Sequence, residues 1–171
     1  MFTIRAEKQT DYAEINYVIT EAFKTAVHSD GNEQDLVKAL RTSTSYIPEL
    51  SLVAVDNDKI VGHILFTKAK VNNHEVLALA PLSVLPQYQR KGIGLSLIQT
   101  GHKIAKELGY DFSVVLGYPE YYSKSGYIPA SRYGIKAPFI VDDEYFMALC
   151  LTNNPFPLNG VMKYDDAFNI E

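Results

Sequence analysis

The run Val76-Leu77-Ala78-Leu79-Ala80 is too apolar to lie half exposed, and it leads through Val84 and Pro86 to a turn holding Gly92 and Gly94. It therefore belongs in the middle of a sheet, with both faces covered. Beyond the turn, Leu97, Ile98, Gly101, Ile104, Ala105 and Leu108 recur at helical spacing, while Lys103, Lys106 and Glu107 fall off that stripe. Such a pattern reads as an amphipathic helix that ends at Gly109. A central strand, a glycine turn and a helix in succession restrict the chain to architectures in which a sheet and a helix N-terminus share one ligand site.

The chemistry of that turn follows from its residues. The first N–H groups of a helix lack intrahelical partners, and the helix dipole places partial positive charge behind them. Gly92 and Gly94 let the backbone take positive φ and approach an anion closely, and Arg90 and Lys91 add two cations. Pyrophosphate is the ligand these features fit. The spacing is neither G-x-x-x-x-G-K-[ST] nor G-x-G-x-x-G within a parallel unit. It reads Q-x-x-G-x-G from Gln89 to Gly94, with Val84-x-Pro86 before it.

The rest of the chain supplies a mixed sheet. Phe2 to Arg5 alternates as an edge strand, and Thr10 or Asp11 is placed to cap a helix carrying Ile15, Val18, Ile19, Ala22 and Phe23. The loop His28 to Asn32 precedes a second helix with Leu36, Val37 and Leu40 on one face. Tyr46-Ile47-Pro48-Glu49 reads as a break, after which Leu50–Val55, Ile60–Val71 and Glu75–Leu85 form strands joined by tight turns. After the glycine-turn helix, Phe112 to Leu116 forms a buried strand and hence a parallel crossover. A short helix from Glu120 to Ser125, a strand at Tyr145–Leu151 and a last strand within Val161–Tyr164 complete the order.

Composition narrows the classes. With 171 residues and 47% hydrophobic content, the expectation is a single domain over 1–171, its tail 153–171 packed on the same core. A net charge of −4 argues against nucleic acid as a bulk partner. Cys150 is the lone cysteine, Met1–Gln9 has no apolar signal core, and no apolar run reaches a membrane span. The expectation is a cytoplasmic protein with no membrane partner. The four histidines have no metal-ligand spacing, so no metal is expected; His63 reads as a structural strand residue and His102 as part of a charged helix face.

The motif Val84-x-Pro86 with Gln89 to Gly94, the β-α-α-β-β-β-α-β-α-β order, and the segments Gly62-His63-Ile64-Leu65, Leu79 to Pro86 and Val115 to Tyr122 together resemble the GNAT N-acetyltransferases, and most closely their YhbS-like branch. The resemblance implies an α+β fold: a mostly antiparallel sheet with one parallel βαβ unit at the cofactor site and helices on both faces. It implies acetyl-CoA as co-substrate, with pantetheine held by Leu82, Ser83 and Val84 and pyrophosphate by Gln89, Arg90, Lys91, Gly92, Ile93, Gly94 and Leu95. It also implies acetyl transfer to a primary amine within a ternary complex.

Tyr122 matches the family tyrosine whose hydroxyl approaches the sulfur, and a phenol with a pKa near 10 suits an acid at neutral pH. Tyr121 is its packing neighbour. Candidates for a general base are Glu33, His28 and Glu75, with Glu33 and His28 favoured because the first two helices line the acceptor side in this fold. The acceptor is a small-molecule or peptide amine, and a homodimer is compatible with the family. Two other classes fit parts of the pattern: a non-catalytic acyl-CoA binding or sensor domain, which needs the glycine turn but not Tyr122, and an interaction module built on the tyrosines of Tyr118 to Tyr133.

Overall fold

The computed structural model describes residues 1–26, 29 and 31–170. Strand β1 (Thr3–Ala6) lies at one sheet edge, antiparallel to β2 (Tyr46–Asp56). A 3-10 turn at Gln9–Asp11 leads into α1 (Tyr12–Phe23), which buries Ile15, Val18 and Ile19. Neither Thr10 nor Asp11 caps α1 with its side chain. The Asp11 carboxylate instead accepts the Lys8 N–H at 2.8 Å and pairs with Arg5 at 2.6 Å, so it organises the turn before the helix. Helix α2 (Glu33–Arg41) buries Val37 and Leu40.

The break expected at Tyr46 to Glu49 is instead the start of β2. The pairing of β2 with β3 (Lys59–Val71) jumps from Tyr46↔Thr67 to Ser51↔Leu65, and Pro48 sits in that irregularity, where no ladder hydrogen bond is asked of it. Asn57 and Asp58, with φ of 51° and 62°, make the two-residue turn into β3 that the right-handed twist of a hairpin favours. β4 (His74–Val84) pairs antiparallel with β3 and carries one extra residue between Leu79 and Leu82, a bulge at Ala80-Pro81.

Helix α3 (Ile93–Glu107) connects β4 to β5 (Phe112–Leu116), and these two strands are parallel. A short helix α4 (Pro119–Tyr122) and a 3-10 turn stop at Gly126, whose φ is 94°. β5 is flanked by β8 (Phe146–Cys150), which also pairs with β6 (Ile128–Pro129). The tail contributes β9 (Gly160–Lys163), which joins the far end of β3 and pairs with β7 (Ile135–Lys136). The main path is β1-β2-β3-β4-β5-β8-β6.

Alternation along β3 assigns the two faces. Gly62 and Phe66 point at α3: a methyl built on Gly62 would lie 3.1 Å from Ile93 and Leu97, and one on Gly101 would collide with the Phe66 ring. His63 points the other way, toward Glu7 and Arg41 at the end of α2. Helices therefore cover both faces. Burying Leu97 and Ile98 of α3 in the core contributes roughly 1.5–3 kcal/mol each. Leu108, expected on the same stripe, is 43% exposed because it caps the helix end beyond the sheet.

Candidate active site

The glycine turn adopts the backbone its sequence allows. Gly92 is the N-terminal boundary of α3 at φ 84°, and Arg90 is also left-handed at φ 63°, a conformation seldom taken by a residue with a Cβ. The first helical hydrogen bond is Ser96 N–H to Gly92 C=O at 3.0 Å. The N–H groups of Ile93, Gly94 and Leu95 precede it and have no intrahelical acceptor. A methyl on Gly92 would meet nothing within 4 Å, so no other group crowds the turn at that position. Arg90 and Lys91 are exposed and form no ion pair among the described residues; Lys91 Nζ lies 5.4 Å from the Tyr88 ring centre. Gln89 braces the turn from within: its side-chain amide donates to the Val84 C=O at 3.1 Å and ties the turn to the strand end.

β4 and β5 are hydrogen-bonded only around Leu77↔Ser113 and Ala78↔Val114. Past Ala78 the two strands part, so Leu79 to Val84 keep β3 as their partner on one edge and have no ladder to β5 on the other. An extended polar ligand can take the place of a strand there. The opening lies beside the start of α3, since Leu82 Cδ2 is 3.8 Å from a methyl built on Gly94.

Two tyrosines close the α3 side of this opening. The same methyl on Gly94 would collide with the Tyr121 hydroxyl, which places Tyr121 against the first turn of α3. Its neighbour Tyr122 packs its ring so closely on Gly117 that a Cβ there would collide with it. Tyr122 is edge-to-face with Tyr121 at 5.1 Å and with Tyr127 at 5.7 Å. Burial, with a smaller effect from Tyr121, pushes the Tyr122 phenol above its ordinary pKa and keeps it protonated at neutral pH. Behind it, the buried Tyr127 hydroxyl is bonded to His102 Nε2 and to Ser113 Oγ, both at 2.8 Å. His102 thus points into the sheet rather than lying on a charged helix face, and burial lowers its pKa to about 4.

The candidate bases are scattered. Glu33 is half-buried at the start of α2, where both carboxylate oxygens accept from Ser29 Oγ at 2.8 Å; among the described residues no hydrogen bond or ion pair joins it to Tyr122 or β4. His28 lies outside the described residues. Glu75 is seven residues before Leu82 along β4, about 23 Å away at the strand rise per residue, and is remote from the opening. It lines a separate cleft of about 490 Å³ with Lys68, Lys70 and Lys163.

A buried polar network on the opposite face has no counterpart in the sequence pattern. Arg41 grips Glu7 with Nε and Nη2 at 2.9 and 3.0 Å, and the Tyr46 hydroxyl donates to Glu7 at 2.6 Å. His63 Nε2 lies 3.4 Å from Glu7 and 3.0 Å from Ser51 Oγ. Burial alone would raise the Glu7 pKa, but hydrogen bonds from His63, Arg41, Tyr46 and Ser51 overcome it and hold the carboxyl well below the usual range. These residues come from the turn after β1, α2, β2 and β3, and no local spacing links them.

Among the described residues no group of three or more His, Cys, Asp or Glu side chains is gathered as a metal site, and no helix is long and apolar enough to cross a membrane. Residues 14–121, which hold the turn, the parting strands and Tyr121, match the Acetyltransferase (GNAT) family. The uncharacterized N-acetyltransferase YjhQ of Escherichia coli K12 is 36% identical over 173 residues, covering 96% of this chain and 93% of that protein. A GNAT family acetyltransferase from Brucella melitensis, solved in complex with acetyl-CoA, superposes with a TM-score of 0.82 at 32% identity over 98% of both chains. YhbS from E. coli, solved with CoA, gives a TM-score of 0.87 at 26% identity, covering 98% of this chain and 92% of that one. By sequence along almost its whole length and by fold, this chain belongs to the GNAT family of acetyltransferases.

Proposed function

We propose that the protein transfers the acetyl group of acetyl-CoA to a primary amine by direct attack of the amine in a ternary complex. The observation that carries this reading is the uncrowded, left-handed turn at Gly92, with its two cations and helix N–H groups, placed beside the gap between β4 and β5. That combination suits a ligand with a pyrophosphate at one end and an amide-bearing arm at the other. The relatives solved with CoA and acetyl-CoA support it.

In this reading the N–H groups of Ile93, Gly94 and Leu95 and the side chains of Arg90 and Lys91 hold the pyrophosphate, and Gln89 braces the turn. The free edge of Leu82, Ser83 and Val84 takes the pantetheine amides, and a backbone N–H near Leu82 or Ser83 stabilises the developing oxyanion. The thioester supplies an activated acyl group and a thiolate leaving group. Tyr122, held protonated by burial, gives its proton to that thiolate. Glu33 is one of the candidate bases that the sequence offers, beside His28 and Glu75; its hydrogen bonds with Ser29 favour a role in holding Ser29 against the start of α2.

Thermal unfolding with increasing acetyl-CoA tests the binding half of the proposal. At a ligand concentration 100 times Kd the gain is about 2.7 kcal/mol, a Tm rise on the order of 5–10 °C for a chain of this size. No shift at millimolar acetyl-CoA rejects the proposal.

A further inference from the structure

His63 and Ser83 face each other across β3 and β4 as directly paired residues. Both are buried, at 0% and 1% exposure, and the His63 Nδ1 and Ser83 Oγ atoms have no hydrogen-bond partner among the described residues. Two such atoms on opposed residues of one sheet face ask for an explanation, because leaving either unpaired is costly. The β-carbons of directly opposed residues stand about 4.5–5.5 Å apart, which lets these two groups share a proton directly or across one water.

The network behind His63 fixes which nitrogen is available. Glu7 is ionised and can only accept, so the proton of the neutral imidazole belongs on Nε2, toward Glu7, and Nδ1 presents a lone pair. The charged and titratable groups around the ring are Glu7, Arg41 and, through Glu7, Tyr46. The arrangement is a carboxylate-oriented imidazole on the sheet face that it shares with Ser83. Ser83 lies on the stretch of β4 that has no ladder to β5. Tyr122, by contrast, packs on the α3 side, so the proton donor for the thiolate and the His63–Ser83 pair lie on opposite faces of the sheet.

We propose that His63, acting through Ser83, receives the proton released by the attacking amine. This rests on the acetyl-transfer reading given above. The amine nitrogen forms a bond to the acyl carbon and the carbon–sulfur bond breaks. The amine proton passes to Ser83 Oγ while the Ser83 proton passes to His63 Nδ1, giving an imidazolium beside Glu7, and the thiolate takes the Tyr122 proton. Loss of the proton from His63 and regain of one by Tyr122, through solvent, restore the enzyme. Ser83 is the group in contact with the amine, and His63 and Glu7 position and drain the proton.

The test has two arms. Nitrogen NMR of the imidazole in the free protein should show the neutral Nε2–H form with a free Nδ1; the Nδ1–H form overturns the proposal without any acceptor being needed. In steady-state assays Ser83→Ala should lower kcat at least tenfold while leaving stabilisation by acetyl-CoA intact, and Ser83→Thr should recover part of the loss. The acid limb of the kcat profile, set below the ordinary imidazole value by burial of His63, should disappear in His63→Gln. Wild-type kcat and an unchanged acid limb in Ser83→Ala reject the relay while leaving acetyl transfer standing. Failure of the wild type itself to bind acetyl-CoA would reject both, and should His63→Gln not fold, Ser83→Ala and the spectrum decide.

Discussion

Replacing Tyr122 with phenylalanine removes one hydroxyl and nothing else. The ring keeps its seat on Gly117 and its edge-to-face contacts at 5.1 Å with Tyr121 and 5.7 Å with Tyr127. Packing in the core and the approach to the cofactor groove are therefore preserved, and the Tm should stay within a few degrees of the wild type. The chemistry should not be preserved. A positioned general acid contributes about 10²–10⁴ in rate, which is about 2.7–5.4 kcal/mol of barrier. Release of free thiol from acetyl-CoA, followed with a saturating amine, should show kcat reduced by that factor with the acetyl-CoA KM and the thermal shift nearly unchanged. An unchanged kcat refutes the acid role. So does a fall in kcat matched by an equal loss of acetyl-CoA binding, which would make Tyr122 a binding residue instead.

Other substitutions probe the frame. Gly92→Ala keeps a left-handed backbone at φ 84° with a Cβ that meets nothing within 4 Å, so the fold should lose only about 1–2 kcal/mol; calorimetric titration should show acetyl-CoA affinity falling at least tenfold, and wild-type affinity would mean the turn does not contact the ligand. Gly101→Ala sets a methyl 2.7 Å from Phe66 Cζ, and overpacking of a fully buried ring should cost about 1–3 kcal/mol in denaturant unfolding; no loss would mean the helix can lift off the sheet freely. Burial holds His102 at about 4, below the ordinary 6.5. Between those values the unfolded chain binds a proton that the folded chain does not, so stability falls as pH drops from 6.5 toward 4. His102→Gln should flatten this dependence, with the remaining slope owed in part to His63, which burial shifts the same way; identical slopes would show that His102 is solvated.

The parts legible in the sequence are those whose cause is local. The turn from Gln89 to Gly94 announces itself by two glycines between an apolar strand and an amphipathic helix, and the hairpin at Asn57-Asp58 by turn chemistry. The edge position of β1 follows from its alternation. Pro48 misleads because a proline normally ends a strand, and only the β2–β3 irregularity shows where it is tolerated. His102 misleads because lysines surround it on α3, while its partner Tyr127 is 25 residues away. Arg41, Glu7 and His63 meet only when β1, α2 and β3 are assembled, with Arg41 and Glu7 separated by 34 residues. A mid-strand histidine among apolar neighbours is the one signal, and it does not name its partners. Arg90 in a left-handed conformation has no signal at all, since glycine would be the ordinary choice.

The most direct measurement is release of free thiol from acetyl-CoA by the purified protein across a panel of amines that includes polyamines, amino acids, aminoglycoside-like amines and peptides with free N-termini or lysines. At least one amine should give saturable thiol release in equal amount to acetylated amine, abolished when the amine is withheld. Tight binding of acetyl-CoA with no amine-dependent release across the panel would contradict acetyl transfer to amines and leave a protein that holds the cofactor without using it.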